Sequence, residues 1–502
     1  MRYLLAAIAG VPIYLGLSPY GVWYLPIGSI LLFAWLWRAP LTAKQGWLLG
    51  LAYHFGVFAA GANWLYISIH VHGQTPALLA GVFTGLFALF MAWMCSLPWI
   101  LSPLFSNTNR LLAFPGIFLL TEWLRGWFFT GFPWLYLGQA HLETPLAGWV
   151  PVFGALGTGM AITATACAIL CIFTHRKPST VMVQSLLIVC IWAGGGLLEK
   201  TQWTAPAGEP ISAILVQPNI ALEDKWDKKL RQENMSILLS ASAPYWTDEE
   251  PTSEENLIIW PEAALPYIGD SALEYLDALD KQISSSANTL ITGYLTESQD
   301  SGRLQNAIGA VGNGNGEYLK QQLVPFGEYV PLENWLRGLI NFFDLPMSVI
   351  SPGGADQSPL QFTQRGETYG ITPAICYEIA YPALVAKSAK ETHLIVTLSN
   401  DAWFGDSVGP WQHMEIAQIR ALENRKPVLR VTNNGVTASV DHRGRIIERL
   451  PQFEYRSLET QVIPMEGKTP FSSYRHIPTL IIALTLLVIA GIRSKIQSTS
   501  SK

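Results

Sequence analysis

Apolar residues follow two regimes along this chain. From residue 1 to about 200, and again from about 476 to 493, they run in long, nearly unbroken stretches. Between about 205 and 470 they come in short bursts separated by polar positions. A bilayer core of roughly 30 Å takes about 20 apolar residues of helix. Eight segments approach that length: about 3–18, 22–37, 46–68, 76–101, 110–130, 148–174, 180–198 and 476–493. Turn residues separate them, as in "LSPYG" and "RAPLTAKQG". The first segment resembles a secretory leader in length. It has no small-residue cleavage site and six more spans follow before residue 200, so it is read as retained. The pattern predicts a polytopic α-helical membrane bundle of about eight spans: seven in residues 1–200 and a C-terminal transmembrane helix at 476–493.

The middle region, 205–470, predicts a globular domain. "ISAILVQ", "NLIIW", "TLITGYL", "NAIGAVG", "TYGITPAIC", "HLIVTLSN" and "PVLRVTNNG" read as strands, several apolar enough to be buried on both faces. Helical stretches at about 222–242, 271–287, 381–391 and 411–424 lie between them. Alternating strands and helices argue for a layered α/β domain. About 250 residues bury a full core without disulfides.

Composition agrees with the division. The 502 residues are 50% hydrophobic and only 14% charged, against about a quarter charged in ordinary soluble domains. Mean hydropathy is +0.26. The net charge of −5 argues against a basic nucleic-acid-binding surface. Loop charges set an orientation. Arg2, Arg38, Lys44, Arg110, Arg176, Lys177, Arg493 and Lys495 fall in alternate loops, whereas the loops near 18–21, 69–75 and 131–147 carry no Lys or Arg. Positive loops stay cytoplasmic. Both termini are therefore expected inside, with the 205–470 domain on the periplasmic face of a bacterial inner membrane.

Cysteine usage then becomes informative. Cys95, Cys167, Cys171 and Cys190 lie in apolar segments, as buried structural thiols do. Cys376 stands alone in a domain assigned to an oxidising compartment, so it is either buried and inert or kept for its reactivity. Three stretches bear on the choice. "LIIWPEAALP" puts Glu262 just past an apolar strand. "EYLKQQLVPFGEYVP" carries Lys320 near the start of a strand and Glu328 eight residues later. "AICYE" ends a strand at Cys376. A carboxylate, an ammonium and a thiol gathered at strand ends form a workable nucleophilic device: the cation favours thiolate and oxyanion, and the carboxylate moves the proton. Taken singly, each has an ordinary reading as a solvated loop acid, an edge lysine or a salt-bridge partner.

"WPE", "LVPFGEYVP", "ICYE" and "SNDAWFG…H…IAQIRALENRKPVLRVTNNG" together resemble the nitrilase, or carbon–nitrogen hydrolase, superfamily. With the membrane flanks they resemble its membrane-embedded apolipoprotein N-acyltransferase branch over essentially the whole chain. The resemblance implies an αββα sandwich and a Glu–Lys–Cys triad at Glu262, Lys320 and Cys376, with Glu328 as a supporting carboxylate. It also implies substrate-binding roles for Trp226 of "QPNIALEDKW", for Tyr377 and Glu378, and for Asn306. The activity implied is ping-pong transfer of a fatty acyl chain from a phospholipid donor, through a thioester, to the α-amino group of a diacylated apolipoprotein. A monomer surrounded by membrane lipids, acting without cofactor or metal, is the form the resemblance implies. His54, His70, His72 and His413 have no metal-ligand spacing, and no phosphate loop or dinucleotide motif is present.

Two features stay open on the sequence. The apolar stretch 332–354, with Trp335, Leu339, Phe342, Phe343 and Met347, either dips into the membrane interface as a lid or packs into the domain. Glu122 and Arg125 either face the domain or a lipid headgroup, or simply pair one helical turn apart. The competing readings are a membrane-anchored amide or nitrile hydrolase using the same triad, and a transporter with an appended sensor domain. Eight spans exceed what anchoring needs, and the spans carry few of the paired polar groups of transporters.

Overall fold

The computed structural model describes residues 1–246, 255–284, 286–298, 302–330 and 350–500. The chain divides into two compact units, one of residues 1–71, 75–202 and 473–502, the other of 72–74 and 203–472.

The first unit is helical. Among the described residues, four helices are long and apolar enough to cross a membrane: Ala77–Leu104, Pro145–Thr174, Pro178–Glu199 and Ile477–Thr499. Ala43–Gly61 and Leu65–His72 pass the same test together but are bent by 64°. The expected continuous span at 46–68 is therefore broken. Arg2–Gly16 and Tyr24–Trp37 are shorter apolar helices. The expected segment at 110–130 is a helix only from Arg110 to Arg125, with Pro115 inside it. Helices approach closely where side chains are missing. A Cβ on Gly56 would fall 1.9 Å from the Ala7 carbonyl, and one on Gly10 2.2 Å from that of Tyr53. Glu122 and Arg125 resolve as an ion pair at 3.3 Å, both buried, with Glu122 also accepting from the Leu137 N–H at 2.7 Å. Arg125 stacks over Tyr136 and Phe58. Of the four cysteines in this unit, Cys95 and Cys167 are buried as expected, whereas Cys171 is only partly buried and Cys190 is exposed on its helix.

The second unit is a four-layer sandwich. One sheet has the order β14-β2-β3-β4-β5-β7, from β2 (Ile211–Gln217), β3 (Leu257–Ile259), β4 (Thr289–Glu297), β5 (Leu304–Gly312), β7 (Glu317–Leu319) and β14 (Arg456–Val462). The other has the order β13-β12-β11-β10-β9-β8-β6. It consists of β6 (Gly314–Asn315), β8 (Leu360–Gln364), β9 (Glu367–Ile375), β10 (Leu394–Ser399), β11 (Val428–Thr432), β12 (Ala438–Val440) and β13 (Ile446–Arg449). A short pair, β1 (Thr204–Pro206) with β15 (Met465–Gly467), completes the strands. Between the sheets lies an apolar layer including Ile211, Leu215, Ile259, Ile291, Ile371, Val396 and Val431. On the outer face of the first sheet, Ile214, Ile258 and Leu290 pack against Leu238 of helix Arg231–Trp246 and Leu276 and Ile283 of helix Asp270–Ile283. Strands buried on both faces must be apolar throughout, which is why β2, β3 and β10 read as unbroken runs.

Two parallel triplets organise the site: β2, β3 and β4 in one sheet, and β9, β10 and β11 in the other. In α/β sheets ligands gather beyond the carboxyl ends of such strands. One expected element changes this region. The helix predicted at 222–242 begins only at Arg231. Residues 221–230 form turns, with the Asp227 carboxylate accepting from the Lys229 N–H at 2.9 Å. Asp side chains compete for local backbone donors and disfavour helix there.

Candidate active site

Glu262, Lys320 and Cys376 each follow a strand end. Glu262 follows β3 by way of Trp260 and Pro261. This turn runs backbone to backbone past Gly293 of β4, where a Cβ would sit 2.6 Å from the Ala263 nitrogen and 2.8 Å from the Pro261 oxygen. Lys320 lies just past the end of β7, not near a strand start as expected, and its N–H donates to the Asn306 carbonyl at 2.8 Å. Cys376 follows β9 immediately, with φ at +52°. A positive φ is disfavoured for a residue with a Cβ and recurs at functional turns.

The side chains converge. Lys320 Nζ donates to Glu328 Oε1 at 2.7 Å and to Glu262 Oε1 at 3.5 Å. Glu262 also accepts from Asn306 Nδ2 at 2.8 Å and from the Asn400 N–H at 2.9 Å. Glu328 is steadied by the Val324 N–H at 2.8 Å. Lys320 is 1% exposed, Glu262 8% and Glu328 9%, so these charges act on one another with little screening. Burial pulls the Lys320 ammonium down, but Glu328 and Glu262 more than reverse it and hold the cation charged. Burial pushes the Cys376 thiol well up; Glu262 adds to that and Lys320 opposes it. The thiol therefore ionises only if its proton is taken locally.

The remaining expected residues take different places. Asn306 bonds Glu262 through its side-chain amide and Lys320 through its carbonyl, so it links these two groups. Glu378 is wholly buried. Its Oε1 accepts from the Tyr318 hydroxyl and from the Gln321 and Gln322 N–H groups, and its Oε2 from the Ile375 N–H. It ties the chain after Lys320 to the chain before Cys376. Tyr377 is buried edge-on against Tyr381, with ring centroids 5.2 Å apart. Trp226 is half-buried in the turn before helix Arg231–Trp246. Residues 331–349, most of the stretch read as a lid or core segment, lie outside the described residues.

Glu378→Gln puts a donating amide where a carboxylate accepts four hydrogen bonds. A buried donor facing a donor costs about 1–3 kcal/mol. The variant is expected to unfold at lower denaturant concentration by that amount, measured by equilibrium unfolding of the detergent-purified protein.

Sequence reasoning passed over Lys225, one residue before Trp226. Its buried Nζ donates to the Glu262 carbonyl at 2.9 Å. Burial lowers its pKa to about 8, against Glu262 and Cys376, which raise it. Two carboxylates and Lys320 alone would leave the site with excess negative charge. Lys225 balances it, and moving the thiol proton to Glu262 keeps the sum at zero. A nearby opposite charge shifts a pKa by roughly 1–3 units. Lys225→Met is therefore expected to raise the thiol pKa by about one unit and slow Cys376 alkylation about tenfold at neutral pH. In the unaltered protein the rise of alkylation with pH should flatten above about 8, where Lys225 loses its charge. That flattening should vanish in the variant.

A four-layer sandwich with a buried acid and ammonium and a partly buried thiol at facing strand ends defines a carbon–nitrogen hydrolase domain. Residues 215–462 match the Carbon-nitrogen hydrolase family, and residues 9–169 match the Apolipoprotein N-acyltransferase N-terminal domain. The chain is 40% identical over 508 residues to an apolipoprotein N-acyltransferase of Pseudomonas syringae pv. tomato, covering 99% of this chain and 97% of the relative. It is 40% identical over 497 residues to one of Pseudomonas paraeruginosa, covering 97% and 94%. For one of Photobacterium profundum the figures are 35% identity over 508 residues, covering 98% and 95%. Among solved structures, a Saccharomyces cerevisiae member of branch 10 of the nitrilase superfamily aligns with a TM-score of 0.37 and 17% identity, covering 53% of this chain and 92% of that one. The chain belongs to the apolipoprotein N-acyltransferase family.

Proposed function

We propose that this enzyme transfers a fatty acyl chain from a membrane phospholipid to the α-amino group of the N-terminal S-diacylglyceryl-cysteine of apolipoproteins. Family membership over nearly the whole chain, together with the buried Glu262–Lys320–Glu328 cluster that acts on Cys376, carries the reading. In this scheme Glu262 takes the Cys376 proton and the thiolate attacks the acyl ester carbonyl. Lys320 and backbone N–H groups hold the oxyanion. The ester C–O bond breaks, Glu262 returns its proton to the departing lyso-phospholipid oxygen, and a thioester remains. The lipoprotein amine, with an ordinary pKa of roughly 8, then attacks the thioester. It yields a proton to Glu262, the amide forms and the thiol is restored.

A thioester must meet an amine before it meets water. Burial of the three charged groups supports such a water-poor site. Donor and acceptor are both lipid-anchored, which raises their local concentration. The apolar helices support a multi-pass membrane protein, and the loop charges support eight spans with both termini cytoplasmic and the 205–470 domain periplasmic. The test is to supply the purified enzyme with phospholipid and a diacylated lipopeptide. The N-acyl lipopeptide is the expected product. Free fatty acid or ammonia alone would instead identify a hydrolase.

A further inference from the structure

The motif "SNDAWFG…H" and the β11 residue Arg430 build a second buried polar cluster that the chemistry above does not use. Asp401, in the turn after β10, is 1% exposed, and His413 and Arg430 are fully buried. Arg430 Nη2 donates to Asp401 Oδ2 at 2.6 Å and lies 3.1 Å from His413 Nδ1. Asp401 Oδ1 is 3.0 Å from the same Nδ1. The other ring nitrogen, Nε2, is 3.1 Å from the carbonyl oxygen of Cys376. A carbonyl only accepts, so Nε2 carries the hydrogen and donates. Space for Asp401 depends on Gly435, where a Cβ would fall 2.4 Å from Asp401 Oδ2.

This contact falls on a residue whose backbone conformation is disfavoured. Cys376 sits at φ +52°, and nothing in its side chain favours that conformation. Its neighbours are gripped on both sides: the Ile375 N–H by Glu378, and the Cys376 carbonyl by His413. Asp401 and Arg430 in turn fix the imidazole, as a third group orients the base in many nucleophilic sites. We propose that His413, braced by Asp401 and Arg430, is the positioning residue for the nucleophile, aligning the Cys376 sulfur with Glu262 and Lys320. It touches no substrate in this role. The proposal rests on Cys376 being the residue that is acylated.

Displacing a reacting atom by about 1 Å can cost on the order of 100-fold in rate. A small electrophile in solution tolerates such displacement, but attack on a bound ester does not. The test compares His413→Gln, whose side-chain amide still donates, with His413→Met, similar in size but without a donor. Both are purified in full length and assayed for single-turnover acylation by phospholipid and for alkylation by iodoacetamide. Gln is expected to acylate at least tenfold faster than Met, with alkylation of the two within about fivefold and kcat, not KM, carrying the loss. A Gln-to-Met ratio below tenfold, an equal loss of alkylation and acylation, or failure of both variants to fold overturns the proposal. Absence of any acyl adduct on Cys376 in the unaltered enzyme is a separate result: it removes the functional reading, and this inference with it.

Discussion

Cys376→Ala is expected to abolish the covalent acyl-enzyme and reduce transfer by at least about 10⁴-fold, the scale seen when a nucleophile that works as a unit with its base is removed. The fold should survive. Alanine and cysteine meet the same difficulty at φ +52°, so the exchange changes no backbone preference, and Glu378 and His413 still grip the flanking peptide groups. Only a sulfur is lost from a partly buried position. Intact-mass spectrometry after incubation with phospholipid reads the outcome. An acyl group retained on the variant would move the nucleophile elsewhere.

Lys320→Met should be nearly as severe, for a different reason. The ammonium lies 2.7 Å from Glu328 and 3.5 Å from Glu262, and it opposes the burial that keeps the Cys376 thiol protonated. Methionine preserves the bulk and removes the charge. Losing one oxyanion donor costs roughly 10²–10³-fold, and a harder thiol adds to that. Single-turnover acylation is expected to fall by about 10³-fold or more. Two buried carboxylates would also face each other without their cation, at a cost of about 3–5 kcal/mol in stability. Acylation at the unaltered rate would take Lys320 out of the mechanism. Reading both quantities in one variant separates chemistry from folding, since the stability loss appears in unfolding curves and the chemical loss in protein that remains folded.

Several parts of this molecule are legible in its residues because a local rule produces them. Strands buried on both faces announce themselves as apolar runs, and β2, β4, β9, β10 and β11 fall where the runs do. Short edge and antiparallel strands such as β8 and β14 escaped, since their solvent-side residues break the run. The helix expected at 222–242 starts late, at Arg231, because local Asp–backbone bonding outweighs the apolar spacing before it. The bend of 64° within the span expected at 46–68 was not legible, because hydropathy averages over it.

Glu262, Lys320, Glu328 and Cys376 were found as separate motifs, and family resemblance joined them. That Glu378 and Asn306 serve as internal braces was not visible, because a carboxylate that binds ligand and one that accepts four internal N–H and O–H donors look alike in sequence. Lys225 and the Asp401–His413–Arg430 cluster escaped for the same reason. Sequence by itself determined the two regimes of hydrophobicity and the layered domain, because these follow from composition and short-range periodicity, and its short motifs named the candidate reactive groups. Only the tertiary structure decided which buried charges meet and which carbonyl a distant histidine grips. Such pairings join residues tens to hundreds of positions apart and depend on how two sheets stack, which no local pattern encodes.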